Sequence, residues 1–306
     1  VEPFDLAFVG HYTRDTIVYP GNVRTVDGGA FYYGANVAAR MGQRVAVVTR
    51  LAQEHWHVVA ELASIGVTVF ATPTPASTCL RLEYPTADLD ERTLSLTSSA
   101  GPFTVDELPG IRARAWHVGA SVRGEVPAPF VAALAARGGI ISLDVQGFVR
   151  VMRGGRLTHD DWPDRAAILK HLTLLKADAA EAYLLTGERD LHAAARELAT
   201  WGPQEVLLTH SGGALILAAG VYHEAPFVAR QIRGRSGRGD TCTAAYLSRR
   251  LSTGPDEAIA WAAATTSLKL EAEGPFRGDA SQIEALYRRL HTGTASSSQP
   301  AGQNSR

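Results

Sequence analysis

The sequence predicts an α/β fold, a doubly wound, mostly parallel sheet with helices on both faces, plus a small antiparallel β lid. Short runs rich in Val, Ile and Leu alternate with stretches whose apolar residues recur at three- and four-residue spacing, as fully buried strands and the helices covering them require. Two further segments alternate apolar with polar residues, the mark of antiparallel strands with one wet face. Taken in order, strands are expected at 4–10, 44–50, 67–71, 115–118, 140–143, 172–176, 205–209 and 214–217. Between them the helical spacing falls at roughly 34–42, 53–65, 127–137, 163–170, 178–187 and 190–201, and three helices follow at about 240–251, 255–272 and 279–291. The alternating exceptions lie in 11–29 and 72–103, where Thr78-Cys-Leu-Arg-Leu-Glu-Tyr84 and Arg92-Thr-Leu-Ser-Leu-Thr97 would build the lid. Residues 1–291 thus read as one domain, and the tail 292–306, dominated by Ser, Gln, Gly and Pro, as disordered.

Composition narrows the function classes. With 306 residues and 45% hydrophobic content the chain can bury a large core. Thirty basic against 31 acidic residues leave a net charge of −1, so no global field draws nucleic acid or an anionic membrane, and any anion site must be local. The two cysteines, Cys79 and Cys242, are far apart and outside any CxxC spacing, which fits a reducing compartment. No transmembrane run or secretory signal is visible, so the expected location is cytoplasmic.

The most informative stretch is Gly234-Arg-Ser-Gly-Arg-Gly-Asp240, a glycine-flanked turn running straight into a helical pattern. Gly237 and Gly239 allow a tight turn and close approach to a ligand, and the first amides of the following helix are left pointing at whatever anion sits there. A carboxylate would repel a phosphate, so Asp240 reads as a base that takes a proton from an attacking hydroxyl while the amides hold the charge developing on a transferred phosphoryl group. The other reading is an N-cap, worth about 1 kcal/mol of helix stability. In open α/β sheets ligands lie outside the carboxyl ends of the strands. The segments there are Gly10-His-Tyr-Thr-Arg-Asp15, Asp144-Val-Gln-Gly-Phe-Val-Arg150, Lys176-Ala-Asp-Ala-Ala-Glu181 and Thr209-His-Ser-Gly-Gly213.

Together these segments resemble the ribokinase (PfkB) family of small-molecule kinases, from about residue 4 to residue 291. That family's first signature, a Gly-Gly pair before a short helix containing Asn, matches Gly28-Gly-Ala-Phe-Tyr-Tyr-Gly-Ala-Asn36, and its second, Asp-Thr-x-Gly-Ala-Gly-Asp, matches 234–240. The resemblance implies a kinase using ATP and Mg²⁺, with Asp240 as catalytic base and Gly237, Arg238 and Gly239 as the anion hole. It implies hydroxyl-binding roles for Asp15, Gly29, Asn36, Gln146 and Arg150, although Arg150 also reads as a structural ion pair. Asp178 and Glu181 take the positions of the family's Asn-x-x-Glu motif, with Glu181 organising the metal. Thr209 and Gly212 fall beside the nucleotide phosphates and ribose, and Ala262 to Gly274 at the adenine pocket. A homodimer through the lid is likewise implied.

Two departures stand out. The acid common at the first position of the second signature in cation-activated members is Gly234 here, so activation by a monovalent cation is not expected. The anion-hole alanine is Arg238, which either faces solvent or adds a cation beside the transferred phosphate. The spacing from Gly-Gly to Asn36, the pair Tyr32-Tyr33 and the segment 143–150 look closest to the inositol-kinase-like branch, which suggests a polyol or sugar. Stacking of Phe31, Tyr32 and Tyr33 on a base would instead make a nucleoside kinase, and a catalytically silent sugar or nucleotide sensor is the alternative from another class.

Overall fold

The computed structural model describes residues 2–86 and 93–295. The apolar runs assemble into one nine-stranded sheet, ordered Val221–Pro226, Gly213–Ala218, Glu205–Thr209, Leu174–Asp178, Ile140–Asp144, Ala113–Val118, Phe4–Val9, Val45–Leu51 and Thr68–Pro73. Pairing is parallel from Glu205–Thr209 across to Thr68–Pro73, and the hairpin at the opposite edge is antiparallel. Strand Val221–Pro226 escapes the sequence pattern because it is an edge strand, largely exposed and carrying Tyr222, His223 and Glu224.

Strict alternation along each strand sorts the core into two layers. Leu6, Phe8, Val45, Val47, Leu174, Leu207 and Ile216 pack under the helices Ala30–Arg40, Arg238–Arg250 and Pro255–Leu270. Ala7, Val9, Ala46, Val48, Trp116, Leu175, Leu208 and Leu215 face the helices Ala128–Ala135 and Leu191–Thr200 on the other side. Each fully buried aliphatic or aromatic side chain stabilises the fold by about 1.5–3 kcal/mol, so these faces account for the doubly wound arrangement. The last helix runs Ala280–Ala295, past the expected end at 291; the remainder of the expected disordered tail, 296–306, lies outside the described residues.

The lid is a four-stranded sheet, ordered Asn22–Gly28, Thr13–Tyr19, Thr78–Glu83 and Thr93–Ser98. It is two antiparallel hairpins side by side, whose inner strands, Thr13–Tyr19 and Thr78–Glu83, pair parallel. Both inner strands follow main-sheet strands, Phe4–Val9 and Thr68–Pro73, that run parallel and end at the same carboxyl side, which sets that direction. Leu80, Leu82, Val122 and Leu157 form a small apolar cluster under the lid, Leu157 coming from a short hairpin, Arg150–Arg153 with Arg156–His159, that sequence patterning did not show. No helix among the described residues is long and apolar enough to cross a membrane.

Helix Ala30–Arg40 can sit so close to the sheet because Gly34 faces Phe8: a β-carbon at Gly34 would lie 2.5 Å from the ring. Gly34→Val is therefore expected to overpack this contact and destabilise the protein by about 1–3 kcal/mol. Urea unfolding midpoints of the two proteins check this, and equal midpoints would contradict the packing described.

Candidate active site

The site is built where strand ends meet the start of one helix. Helix Arg238–Arg250 begins after Gly237, whose backbone is left-handed (φ 73°, ψ 13°), and no side chain caps it. Its start lies two residues before the predicted 240, so Asp240 stands inside the first turn and the N-cap reading is removed. Arg238 N–H reaches the Arg235 carbonyl at 3.3 Å and Thr241 N–H the Gly237 carbonyl at 2.9 Å, while among the described residues the amides of Gly239 and Asp240 have no main-chain acceptor. A β-carbon on Gly237 would lie 2.1 Å from the Tyr33 ring, which forces glycine there, and one on Gly239 would lie 2.9 Å from Lys176 Nζ and displace that ammonium.

Asp240 is half-buried, and its carboxylate has no hydrogen bond or ion pair among the described residues. Burial, with the nearby charge of Asp144, pushes its carboxyl up to about 6, against the opposing charges of Lys176, Lys269 and Arg150. Asp15, across the cleft on lid strand Thr13–Tyr19, is also raised to about 6 by burial, opposed by Thr13 and Arg150. One Asp15 oxygen, Oδ1, is buried without a hydrogen-bond partner. The charge of Arg150 reaches both acids, and the Tyr33 hydroxyl feels both, so the lid acid, the helix acid and Arg150 are electrostatic neighbours. Arg150 itself is 8% exposed and donates to the Ser121 carbonyl.

Beneath the helix start lies a charge cluster supplied by adjacent strand ends. Lys176 and Asp144 are register partners, and their side chains form an ion pair of 2.8 Å, with Glu181 3.9 Å from the same ammonium. Burial works against the Lys176 charge, but Asp144 and Glu181 outweigh it and hold the ammonium protonated. Asp178 caps helix Ala179–Thr186 in a reciprocal box: Asp178 Oδ1 accepts from Glu181 N–H and Glu181 Oε2 from Asp178 N–H, both 2.8 Å. Burial raises the Glu181 carboxyl. Among the described residues no group of three or more His, Cys, Asp or Glu side chains is arranged to hold a metal. That fits Mg²⁺ only in its usual phosphate-borne form, where one or two carboxylates and several waters complete the shell, and Glu181 with Asp178 are the acids placed for it.

Other predicted residues fall at stated places. Gly29 (φ 102°) lets the chain pass the His11 carbonyl, 2.4 Å from where a β-carbon would be. Asn36 is buried at 1% exposure and donates to the Tyr32 carbonyl at 2.9 Å. Gln146 follows Asp144, which accepts its amide hydrogen. Thr209 is buried at the end of its strand, register partner of Asp178, while Gly212 is exposed and donates to His210 Nδ1. Gly274 sits in an exposed turn beside Glu273, which pairs with Arg24 of the lid at 2.6 Å. Phe31, Tyr32 and Tyr33 are core residues, 1%, 4% and 5% exposed, which removes them as a stacking platform. Cys242 is fully buried and burial raises its thiol to about 11, so it packs and does not react.

Sequence reasoning had no role for Lys176 and Asp144 as a pair, nor for Tyr33 and Lys269 around the turn. A charged residue inside an otherwise apolar strand or small-residue helix, as at Lys176 and Lys269, is the signal that would have found them.

Residues 4–278 match the model of the pfkB family of carbohydrate kinases. No match is found among curated proteins. Among solved structures, a pyrophosphate-dependent kinase in the ribokinase family, complexed with a pyrophosphate analog and myo-inositol, is 33% identical, with a TM-score of 0.85 over 92% of this chain and 99% of that one. A sulfate complex of a pyrophosphate-dependent kinase in the ribokinase family is 34% identical, with TM-score 0.85 and coverage of 92% and 99%. Ribokinase from Arabidopsis thaliana, complexed with ribose and ATP, shares the fold at 19% identity, TM-score 0.74, over 94% and 99% of the two chains. With the signature turn, the free helix amides and the unpaired Asp240 in one cleft, this chain belongs to the pfkB family of carbohydrate kinases, phosphotransferases acting on hydroxyl groups of sugars or polyols.

Proposed function

We propose that this chain transfers a phosphoryl group from inorganic pyrophosphate to a hydroxyl of an inositol-like cyclic polyol. The observation that carries the donor assignment is Arg238, a half-buried guanidinium standing in the anion hole itself, with the charge of Arg235 close enough to lower its proton affinity further after burial has done so. Pyrophosphate has no nucleoside to grip, so its binding energy must come from fixed cations and amides. On the nucleoside side, Ala262, Ala263 and Ala264 are at most 1% exposed and segment 227–233 is stitched to the helix by Val228 N–H to Ser267 Oγ, Arg230 N–H to Glu271 and Arg233 N–H to the Leu270 carbonyl, while a cleft of about 480 Å³ lined by Val228, Leu268, Glu271 and Ala272 lies beyond them. The relatives of 33–34% identity are pyrophosphate-dependent, and one holds myo-inositol. ATP, the donor implied by the wider family, is the competing reading.

On the acceptor side, Asp15 and Arg150 are neighbours that offer an acceptor and donors, the complement of vicinal hydroxyls, and the family resemblance adds Asn36 and Gln146 as further readers. Asp240 takes the proton of the attacking hydroxyl as its oxygen bonds to phosphorus. The bridging P–O bond breaks and orthophosphate leaves with the bridging oxygen. The amides at the helix start and Arg238 meet the charge on the transferred group, and Lys176 supports them from below. Asp178 and Glu181 would hold Mg²⁺ brought in with the donor, which would supply neutralisation of phosphate charge. Closure of the lid, which carries Asp15, excludes water.

Asp240→Asn is expected to lower turnover by at least about 10²-fold while donor binding persists, because the general base is lost and the amides remain. Near-normal turnover would remove Asp240 from the chemistry. In the wild type kcat/KM should fall as pH drops through about 6, since the base works only as a carboxylate. Asp15 titrates in the same window, so Asp15→Asn should leave a shallower acid limb set by Asp240.

For the donor, ³¹P NMR of product formed from pyrophosphate or ATP with a panel of inositols, ketoses, aldoses and nucleosides is the deciding measurement. Pyrophosphate with an inositol is expected to be the best pair, and Arg238→Ala to raise the KM for pyrophosphate by about tenfold or more. Faster turnover with ATP refutes the donor assignment and retains hydroxyl transfer; ligand binding without any product supports the silent sensor.

A further inference from the structure

Lys269 is 1% exposed, in a helix whose neighbouring positions, Ala262 to Ser267, are all buried small residues. A lysine is almost never fully buried unless paired. Among the described residues Lys269 makes no ion pair. Its Nζ donates to the Gly234 carbonyl at 2.8 Å and to the Ser236 carbonyl, and it lies 5.5 Å from the centre of the Tyr33 ring. Both carbonyls belong to the turn that leads into the anion hole, and Tyr33 is the ring against which Gly237 is pressed. The ammonium therefore holds the turn from one side while the aromatic ring holds it from another.

The geometry points to Lys269 as a built-in cation, a positioning residue that replaces a free monovalent ion in shaping the anion hole. Carbonyl oxygens converging on one buried point attract a positive charge, and here the charge is covalently tethered. In a trans peptide the C=O and N–H point in opposite directions, so anchoring the Ser236 carbonyl on Lys269 turns the Gly237 N–H away from it. The turn's conformation is thereby tied to a side chain of another helix. Gly234, where an acid side chain would have added a further oxygen, contributes only its carbonyl and lies against the Ala272 carbonyl, 2.2 Å from where a β-carbon would be. The charge also favours the ionised form of Asp240. A cleft of about 480 Å³, lined by Val228, Leu268, Lys269, Phe276 and Leu286 among others, gives small ions a route to this point once the side chain is removed. The inference goes beyond the reading of the donor and does not depend on it.

The test compares the wild type, Lys269→Ala and the similar-sized Lys269→Met in buffers of choline, sodium, potassium, ammonium or tetramethylammonium at equal ionic strength. Wild-type turnover, with whichever donor it uses, is expected to vary by less than about twofold among them. Lys269→Ala should lose about 10²-fold in kcat, the effect of an impaired anion hole. Ammonium or potassium, but not tetramethylammonium, should restore at least about a tenth of the lost rate. The melting temperature of Lys269→Ala should likewise climb with ammonium or potassium while that of the wild type does not, a readout that needs no turnover. Stimulation of the wild type by potassium beyond about threefold overturns the proposal whether or not a variant folds, as does a Lys269→Met protein of near-normal kcat. Loss of activity in a folded Lys269→Ala that no cation restores shows a merely structural lysine and overturns it too.

Discussion

Gly237 turns the chain through a left-handed conformation directly against the Tyr33 ring, and nearly everything about the site follows from that contact. The turn ends the descending loop and starts helix Arg238–Arg250 abruptly, without a side chain to cap it, so the amides of Gly239 and Asp240 stay free. Asp240 is then carried into the first turn of the helix, facing the same space as those amides. A side chain at position 237 would push the turn off Tyr33, and the helix start, the amides and the acid would move together. Because Tyr33 lies on the helix that packs on Phe8 through Gly34, the position of the anion hole is set by the depth at which that helix sits on the sheet.

The second organising term is electrostatic. Five ionisable groups, Asp144, Lys176, Glu181, Asp240 and Lys269, are crowded under and around the helix start, in surroundings where charge interactions are strong and desolvation is costly. The Lys176–Asp144 pair is the fixed element, because its partners stand on adjacent strands in register. Asp240 feels opposite charges from Lys176, Lys269 and Arg150, yet its carboxyl is raised, since burial and Asp144 prevail. For a base this is the useful direction: a carboxylate with greater proton affinity takes the proton of an alcohol more readily, while remaining ionised above about pH 6.

Much of this was legible in the sequence. The parallel strands announce themselves as Val, Ile and Leu runs because both their faces are buried, and the signature turn announces itself by its glycines, of which Gly237 is required by a left-handed backbone pressed on Tyr33. The edge strand Val221–Pro226 and the hairpin Arg150–His159 were not legible, since strands with exposed faces carry no apolar run. The helix boundary at 238 and the position of Asp240 inside the helix were also hidden, because a left-handed glycine cap leaves no side-chain signal distinct from the acid two residues later. From sequence Phe31, Tyr32 and Tyr33 admit both a stacking platform and core or lid packing, and their burial decides for core. Lys269 illustrates the general limit: a charge is unremarkable in a sequence until its surroundings are known to be apolar.

The departures from the family signature are physically connected. An anion hole built only of amides binds a donor whose remaining energy comes from a nucleoside. Segment 227–233 docks on helix Pro255–Leu270, and on the proposed reading a donor without a nucleoside would draw that energy from the guanidinium at 238. The same segment continues into Gly234 and Ser236, whose carbonyls end on Lys269 of that helix. Segment, turn and helix are thus one hydrogen-bonded unit, fastened by Ser267, Glu271 and Lys269 in succession. Tethering a cation under the turn is, on this view, a consequence of the docking of the segment on the helix, and a change at either end would be felt at the amides beside Asp240.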